Sequence, residues 1–194
     1  MRASRVVLNI VVLAAAILLS GCYVATQNLP AGSGPPVDDR LIGAWRALDN
    51  DGKPTSEATY LHFVKTGDTS LTLVLVDNDA LTTYDMKSIK VGSRVVFAIK
   101  PLTSSKPVEV EEKNYILGFY DVKGDDLFFN LLDAKKFKVL VDTHKIKGMS
   151  GPKDYDKVTL SASPQELAAF LANTDVKALI GDDKPARAHR LASK

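Results

Sequence analysis

The sequence has a single cysteine and almost no surplus of charge. The lone Cys22 allows no disulfide within the chain and no metal site built from cysteines. Lys and Arg number 25 against 23 Asp and Glu, and the two surplus charges, Arg2 and Arg5, lie among the first five residues. Binding of nucleic acid through bulk positive charge is therefore excluded, because phosphate contacts need a basic surface.

Long hydrophobic runs and catalytic motifs are also lacking. No apolar run reaches the roughly 18 residues that a membrane-spanning helix requires. The 3 histidines belong to no Gly-x-Ser-x-Gly or His-Glu-x-x-His motif. Hydrophobic content of 45% and charged content of 25% are typical of a globular domain rather than a disordered chain. We therefore predict a folded protein that is not an enzyme.

The N-terminus has the three-part pattern of a secretory signal. Arg2 and Arg5 make its first residues positive, residues 6–19 are apolar except for Asn9, and small residues follow. A short apolar core with these flanks is typical of a cleaved signal rather than a structural helix. We predict a signal peptide over residues 1–21.

The end of this signal, Leu19-Ser20-Gly21-Cys22, resembles the lipobox of bacterial lipoproteins. That resemblance implies that Cys22 becomes the first residue and carries the acyl chains that hold the protein on a membrane. Tyr23, rather than Asp, then favours the outer membrane in a cell with two membranes. The alternative is an ordinary signal peptide with a chance cysteine near its end.

The chain after Cys22 divides into a tether and one domain. Residues 22–38 include Leu29 to Pro36, which is rich in Pro and Gly and shows no periodicity, so we predict a flexible tether. Residues 39–194 have the size of one domain. Within it, residues 101–113 form the longest break between predicted strands, which is interpreted as a disordered loop or a lid over a cavity.

Most of this domain shows the short β-branched and aromatic runs of an antiparallel barrel or sandwich. Eight such runs are separated by turn residues, and the predicted strands are Gly43–Leu48, Thr59–Lys65, Leu71–Val76, Leu81–Ile89, Arg94–Lys100, Tyr115–Val122, Leu127–Leu132 and Lys157–Ala162. The basic C-terminal segment from Lys184 is interpreted as a solvated last strand or a frayed tail, with contact to anionic lipid as the alternative.

Two helices interrupt the strands. Ala134 to Asp142 carries one apolar stripe, and Ser163-Pro164-Gln165-Glu166 has the pattern of a capping box at a helix start. The third strand, Leu71–Val76, and the sixth, Tyr115–Val122, are apolar on both faces, although one face of an antiparallel strand is usually polar. We therefore expect the two helices to cover the outside of the barrel there.

Gly43-Ala44-Trp45 resembles the Gly-x-Trp start of lipocalins, in which the Trp plugs the closed end of an up-and-down barrel. A helix between the seventh and eighth strands departs from the usual lipocalin order. Tyr115 to Asp125, with shorter matches elsewhere, also resembles a family of uncharacterised bacterial lipoproteins, which implies no particular activity. The predicted fold is a mainly β, antiparallel, eight-stranded, lipocalin-like barrel with two short covering helices.

Aromatic residues on different strands are the candidates for lining the barrel. An eight-stranded barrel is just wide enough to be filled by side chains or to hold one small ligand, and both alternatives stay open. No cofactor or metal is expected, since Glu109, Glu111 and Glu112 lack the spacing of a calcium loop. The candidate lining residues are Trp45, Tyr60, His62, Tyr84, Phe97, Phe119 and Phe129.

These observations predict a membrane-anchored protein of the cell envelope. The favoured hypothesis is a non-catalytic barrel that binds a small apolar or amphipathic molecule, such as a lipid. The alternative is a structural or protein-interaction lipoprotein with a filled barrel. An enzyme would need His62 and a carboxylate to converge in a cleft; otherwise His62 is a half-buried structural residue.

Overall fold

Eleven strands and two α-helices lie within the part of the chain that the computed structural model describes. It describes residues 23–35, 37–55, 58–78, 80–105, 113–151, 157–182 and 184–192. The strands are β1 (Tyr23–Thr26), β2 (Gly43–Leu48), β3 (Thr59–Lys65), β4 (Ser70–Asp77), β5 (Ala80–Val91), β6 (Arg94–Ser104), β7 (Tyr115–Lys123), β8 (Asp126–Leu131), β9 (Gly148–Ser150), β10 (Lys157–Leu160) and β11 (Ala186–Arg190). The helices are α1 (Ala134–Asp142) and α2 (Pro164–Asn173), and a 3-10 helix spans Val176–Ala178.

Eight of these strands close into an antiparallel barrel. Strands β2 to β8 follow one another as a meander, β11 pairs with β8, and β2 pairs with the other edge of β11. Pairing of β6 with β7 leaves no gap in the middle of the sheet. The predicted mainly β barrel with eight antiparallel strands and two short helices is confirmed.

The first seven barrel strands lie where the sequence predicts them, but the eighth does not. Residues Lys157–Leu160 do form a strand, β10, yet it pairs in parallel with β1 outside the barrel. The eighth barrel strand is Ala186–Arg190, within the basic segment interpreted as a solvated strand or tail. Both helices therefore precede the last barrel strand.

Composition explains why β11 was missed as a barrel strand. Its residues are Ala, Arg and His, none of them β-branched, so the segment has little strand propensity. Its small side chains Ala186 and Ala188 are buried, whereas Arg187 and His189, which alternate with them, point outward. Small residues fit where a narrow barrel already holds large side chains on the neighbouring strands.

Strand β1 belongs to a small side sheet rather than to a tether. It pairs in parallel with β10 along its whole length and meets the start of β7 on its other edge, while β9 pairs with β10. All four of its residues are buried. The prediction of a flexible segment over residues 22–38 is therefore wrong for Tyr23–Thr26, because these side chains complete two apolar clusters.

The chain after β1 then closes one end of the barrel. Ser33 forms an isolated bridge to Lys90, and the Val37 N–H donates to the Asp68 carbonyl. The side chains of Val37 and Leu41 are buried in the same cluster as the barrel interior. This part of the predicted tether therefore holds an apolar plug against the base of the barrel.

The first helix begins and ends, and the second helix begins, where the sequence predicts. Ser163 accepts from the Glu166 N–H, and the Glu166 carboxylate accepts from the Ser163 N–H, which completes the capping box. Both helices pack on one side of the barrel, in a cluster that includes Phe137, Leu167 and Leu171 of the helices and Val96 of β6. The expected helix cover is confirmed over the sixth predicted strand, β7, whose Leu117 and Phe119 pack in this cluster. Over the third predicted strand it is wrong, because Val74 and Val76 of β4 remain half-exposed.

Acid should weaken the start of α2. The Lys147 ammonium, 2.7 Å from the Glu166 carboxylate, and the Ser163 N–H lower the pKa of Glu166 from 4.5 to about 2. A carboxyl with a lowered folded-state pKa adds stability above its unfolded pKa and loses it as the pH falls. We expect Glu166→Gln to destabilise the protein above pH 4.5 and to match the native chain near pH 2.

Denaturant unfolding of both chains across this pH range measures the difference. Lys147→Met serves as a partner variant, because it removes the largest cause of the shift while the capping box keeps its carboxylate. It should reduce the same pH-dependent difference in part. A Glu166→Gln effect that does not change with pH would contradict this explanation.

Candidate functional site

The closed end of the barrel is built around Trp45. Its side chain is fully buried, and its Nε1–H donates to the Leu41 carbonyl at 2.8 Å. The Arg190 guanidinium lies 4.1 Å from the centre of the indole ring and donates to the Ile42 carbonyl at 2.7 Å and to the Arg40 carbonyl. Such stacking of a cation on an indole is favourable, and here it joins the first and last barrel strands.

Side chains from every barrel strand form one buried cluster. Its large members include Trp45, Phe63, Tyr84, Phe97 and Ile116, and Tyr23 of β1 belongs to it as well. Buried residues in contact across the barrel are the packing expected of a core. Apolar side chains of all eight barrel strands thus meet inside the barrel.

The predicted lining residues fall into two groups. Trp45, Tyr84 and Phe97 belong to the interior cluster, and the half-buried Phe129 packs against it. Tyr60 and His62 lie on the outer face of β3. Leu61 and Phe63, which alternate with them along the strand, belong to the interior cluster instead. Phe119 packs in the helix-covered cluster outside the barrel. The lining prediction is wrong for these last three.

The phase of the strands causes this error. Side chains alternate between the two faces of a strand, and β3 carries an aromatic on each face. His62 is exposed and faces Val74 across the sheet, so it does not lie in the barrel interior.

The opposite end of the barrel is lined by hydroxyl groups. The Thr59 hydroxyl donates to Asp77 Oδ1 at 2.9 Å, and the Thr82 and Ser104 hydroxyls lie 2.8 Å apart. Tyr84 follows below them, and burial raises its pKa to about 12, although a hydrogen bond to Thr82 opposes that rise. This end, the barrel mouth, offers polar groups above an apolar interior. The loop predicted as a lid, residues 101–113, includes Ser104 at this end of the barrel. Its residues 106–112 lie outside the described residues.

A charged cluster that sequence reasoning missed lies on the outer face of β8 and β11. The Asp126 carboxylate accepts from Arg187 at 2.8 Å and contacts His189 Nδ1 at 3.0 Å. These hydrogen bonds hold the pKa of Asp126 below its usual value. Asp126 is 61 residues from Arg187, so only the pairing of β8 with β11 brings them together. The arrangement ties two strands together.

The outer face of β3, β4 and the start of β5 carries several apolar side chains that no described helix covers, whereas α2 contacts the end of β5. We call it the apolar wall and define it by Tyr60, Val64, Val74, Val76 and Leu81. Val64 and Leu81 are 41% and 45% exposed, and Tyr60, Val76 and Leu81 share one cross-strand row. Contiguous exposed apolar surface of this kind marks an interaction site more often than chance.

The described residues hold neither a metal-binding cluster nor a membrane-spanning helix. No three His, Cys, Asp or Glu side chains there lie together in a way that could hold a metal ion. No helix in the same part of the chain is long and apolar enough to cross a membrane. Comparison with protein-family models, with curated proteins and with solved structures finds no match for this chain.

Proposed function

We propose that this chain is a lipid-anchored protein of the cell envelope whose barrel is a non-catalytic interaction module with a filled interior. The lipobox-like end of the signal supports attachment at Cys22, with the outer membrane favoured where a cell has two. The single observation that carries the interaction role is the buried cluster drawn from all eight barrel strands. A barrel filled by its own core works through its outer surface.

The apolar wall is the surface that we propose contacts a partner protein. Its five residues are apolar or aromatic, and the polar side chains His62, Thr72 and Thr83 lie among them in the same rows. Among the described residues, charged side chains lie only at its borders, Asp85 beside Thr72 and Arg46 beside Tyr60. Interface centres are typically depleted in charge and enriched in aromatic residues. The partner therefore needs a complementary apolar surface rather than a charged one.

Charge placed on the apolar wall should abolish this contact. We expect the double variant Val64→Asp with Leu81→Asp to fold, because both side chains are substantially exposed, and to lose the partner in crosslinking experiments on intact cells. The matched control is Val139→Asp on α1, where the replaced side chain is 59% exposed on a different surface. If the double variant and the control retain the same crosslinked partner, the assignment of the wall is wrong.

The barrel mouth favours a second candidate, a site for a small amphipathic molecule. Thr59, Thr82 and Ser104 supply hydroxyls at the rim, which suit a polar head group above an apolar tail. Native mass spectrometry after exposure to a lipid extract of the host separates the two candidates. The filled barrel predicts the mass of the polypeptide alone. An added mass that disappears on denaturation, and that Thr59→Val with Thr82→Val weakens, would support the mouth site instead.

A further inference from the structure

The first residue after the proposed lipid-bearing cysteine is already part of the folded domain. Tyr23 is 1% exposed, its backbone is in register with Lys157 of β10, and its side chain packs in the interior cluster. Ala25 and Thr26, two and three residues further on, also pair with β7. Strand β1 is therefore held by β10 along its whole length and by β7 at its last two residues.

The length of chain between Cys22 and Tyr23 sets the distance from the lipid to the domain. Successive Cα atoms lie about 3.8 Å apart, so Cys22 lies within one such step of Tyr23. A flexible segment of sixteen residues would instead separate the lipid from the domain by about 20–24 Å. The acyl chains thus have almost no spacer between them and the start of β1.

We propose that the domain rests directly on the lipid bilayer, with the Tyr23 end of the side sheet formed by β1, β10 and β9 against the headgroups. This inference rests on the proposed attachment of lipid at Cys22. It adds a fixed orientation, because β1 is held along both edges and cannot swing freely. We assign a bilayer to this end of the domain, because the lipid-bearing Cys22 is joined to the domain there.

The chemistry at this end suits a headgroup layer. The Lys157 ammonium lies 5.8 Å from the centre of the Tyr23 ring, and Lys157 is half-exposed. A basic group near an anionic membrane surface contributes to binding.

The orientation leaves the apolar wall free for its partner. Strand β1 joins the barrel at β7, and β3 lies four strands away from β7 in either direction around the eight-stranded barrel. In a closed barrel of eight strands, the strand four positions away from β7 lies on the opposite side of the barrel. The wall centred on β3 and β4 therefore faces away from the anchored side.

Fluorescence quenching in vesicles tests this orientation with the full lipidated chain. Lys157→Cys provides a labelling position, because Cys22 is blocked by its lipid, and Leu81→Cys provides a matched position on the apolar wall. The vesicles contain phosphatidylethanolamine and phosphatidylglycerol, with a spin-labelled headgroup as the quencher. The mass of the purified chain reports whether Cys22 is acylated.

We expect strong quenching of the label at position 157, little quenching at position 81, and loss of the quenching at 157 when a sixteen-residue Gly-Ser segment is inserted between Cys22 and Tyr23. Equal weak quenching at both positions in an acylated chain would overturn this inference and leave the proposed anchor intact. Quenching at 157 that survives the insertion would also overturn it. A chain without acyl groups on Cys22 would overturn the anchor and the inference together.

Discussion

Replacing Trp45 by alanine is expected to lower the free energy of unfolding by about 3–5 kcal/mol, the range measured for buried aromatic truncations. The indole is fully buried, its N–H is bonded to the Leu41 carbonyl, and the Arg190 guanidinium covers its face. The variant would leave a void at the base of the barrel and remove the surface on which Arg190 stacks. Denaturant unfolding followed by far-ultraviolet circular dichroism measures the loss.

Two further variants separate the causes. Trp45→Phe keeps an aromatic ring but removes the indole N–H, so it should cost less than Trp45→Ala. Phe128→Ala is the matched control, because Phe128 is a half-buried aromatic on the outer face beneath the Arg187 guanidinium. An equal loss for Trp45→Ala and Phe128→Ala would contradict the importance that we assign to the closed end.

A chain that begins at residue 39 is expected not to fold, although the sequence alone places the domain boundary there. That truncation removes the buried side chains Tyr23, Val24 and Val37 and uncovers Val158 and Leu160. Each large apolar side chain contributes about 1.5–3 kcal/mol through burial. The combined loss approaches the whole stability of a typical domain, which is about 5–15 kcal/mol.

A chain that begins at Tyr23 is the control and should fold cooperatively. The comparison uses thermal unfolding and amide hydrogen exchange, with the amides of β10 and of the start of β7 as the informative positions. A cooperative transition with native exchange protection in the shorter chain would show that β1 is dispensable. It would also remove the structural basis for a domain held directly on the membrane.

The prediction of individual elements succeeded where the signal is local. The capping box at Ser163 and Glu166 lies within four residues, and hydrophobic periodicity marked both helices. Alternation and turn residues likewise located the barrel strands from β2 to β8. These features depend on residues that are close together in the sequence, so the sequence alone is sufficient to predict them.

Strand pairing is not local, and there the sequence was insufficient. The pattern of Lys157–Leu160 predicts a strand but not its parallel partner β1, and β11 has too little strand propensity to compete for the eighth place. The candidate site was affected in the same way. The contact of Arg190 with Trp45 joins residues at the two ends of the domain, and the only hint of it was the alternation of small and basic residues in β11.

The sequence by itself determined the class of fold, the starts of both helices, most strands and a lipobox-like signal, because propensity, periodicity and short motifs depend on residues within a short stretch of chain. The tertiary structure decided which strands close the barrel, which aromatic side chains point inward, that the outer face of β4 stays uncovered, and that Tyr23 belongs to the domain. These outcomes depend on pairing register and on the burial of surfaces far apart in the chain. A register change of one residue turns every side chain of a strand to the other face, so only the assembled sheet fixes them.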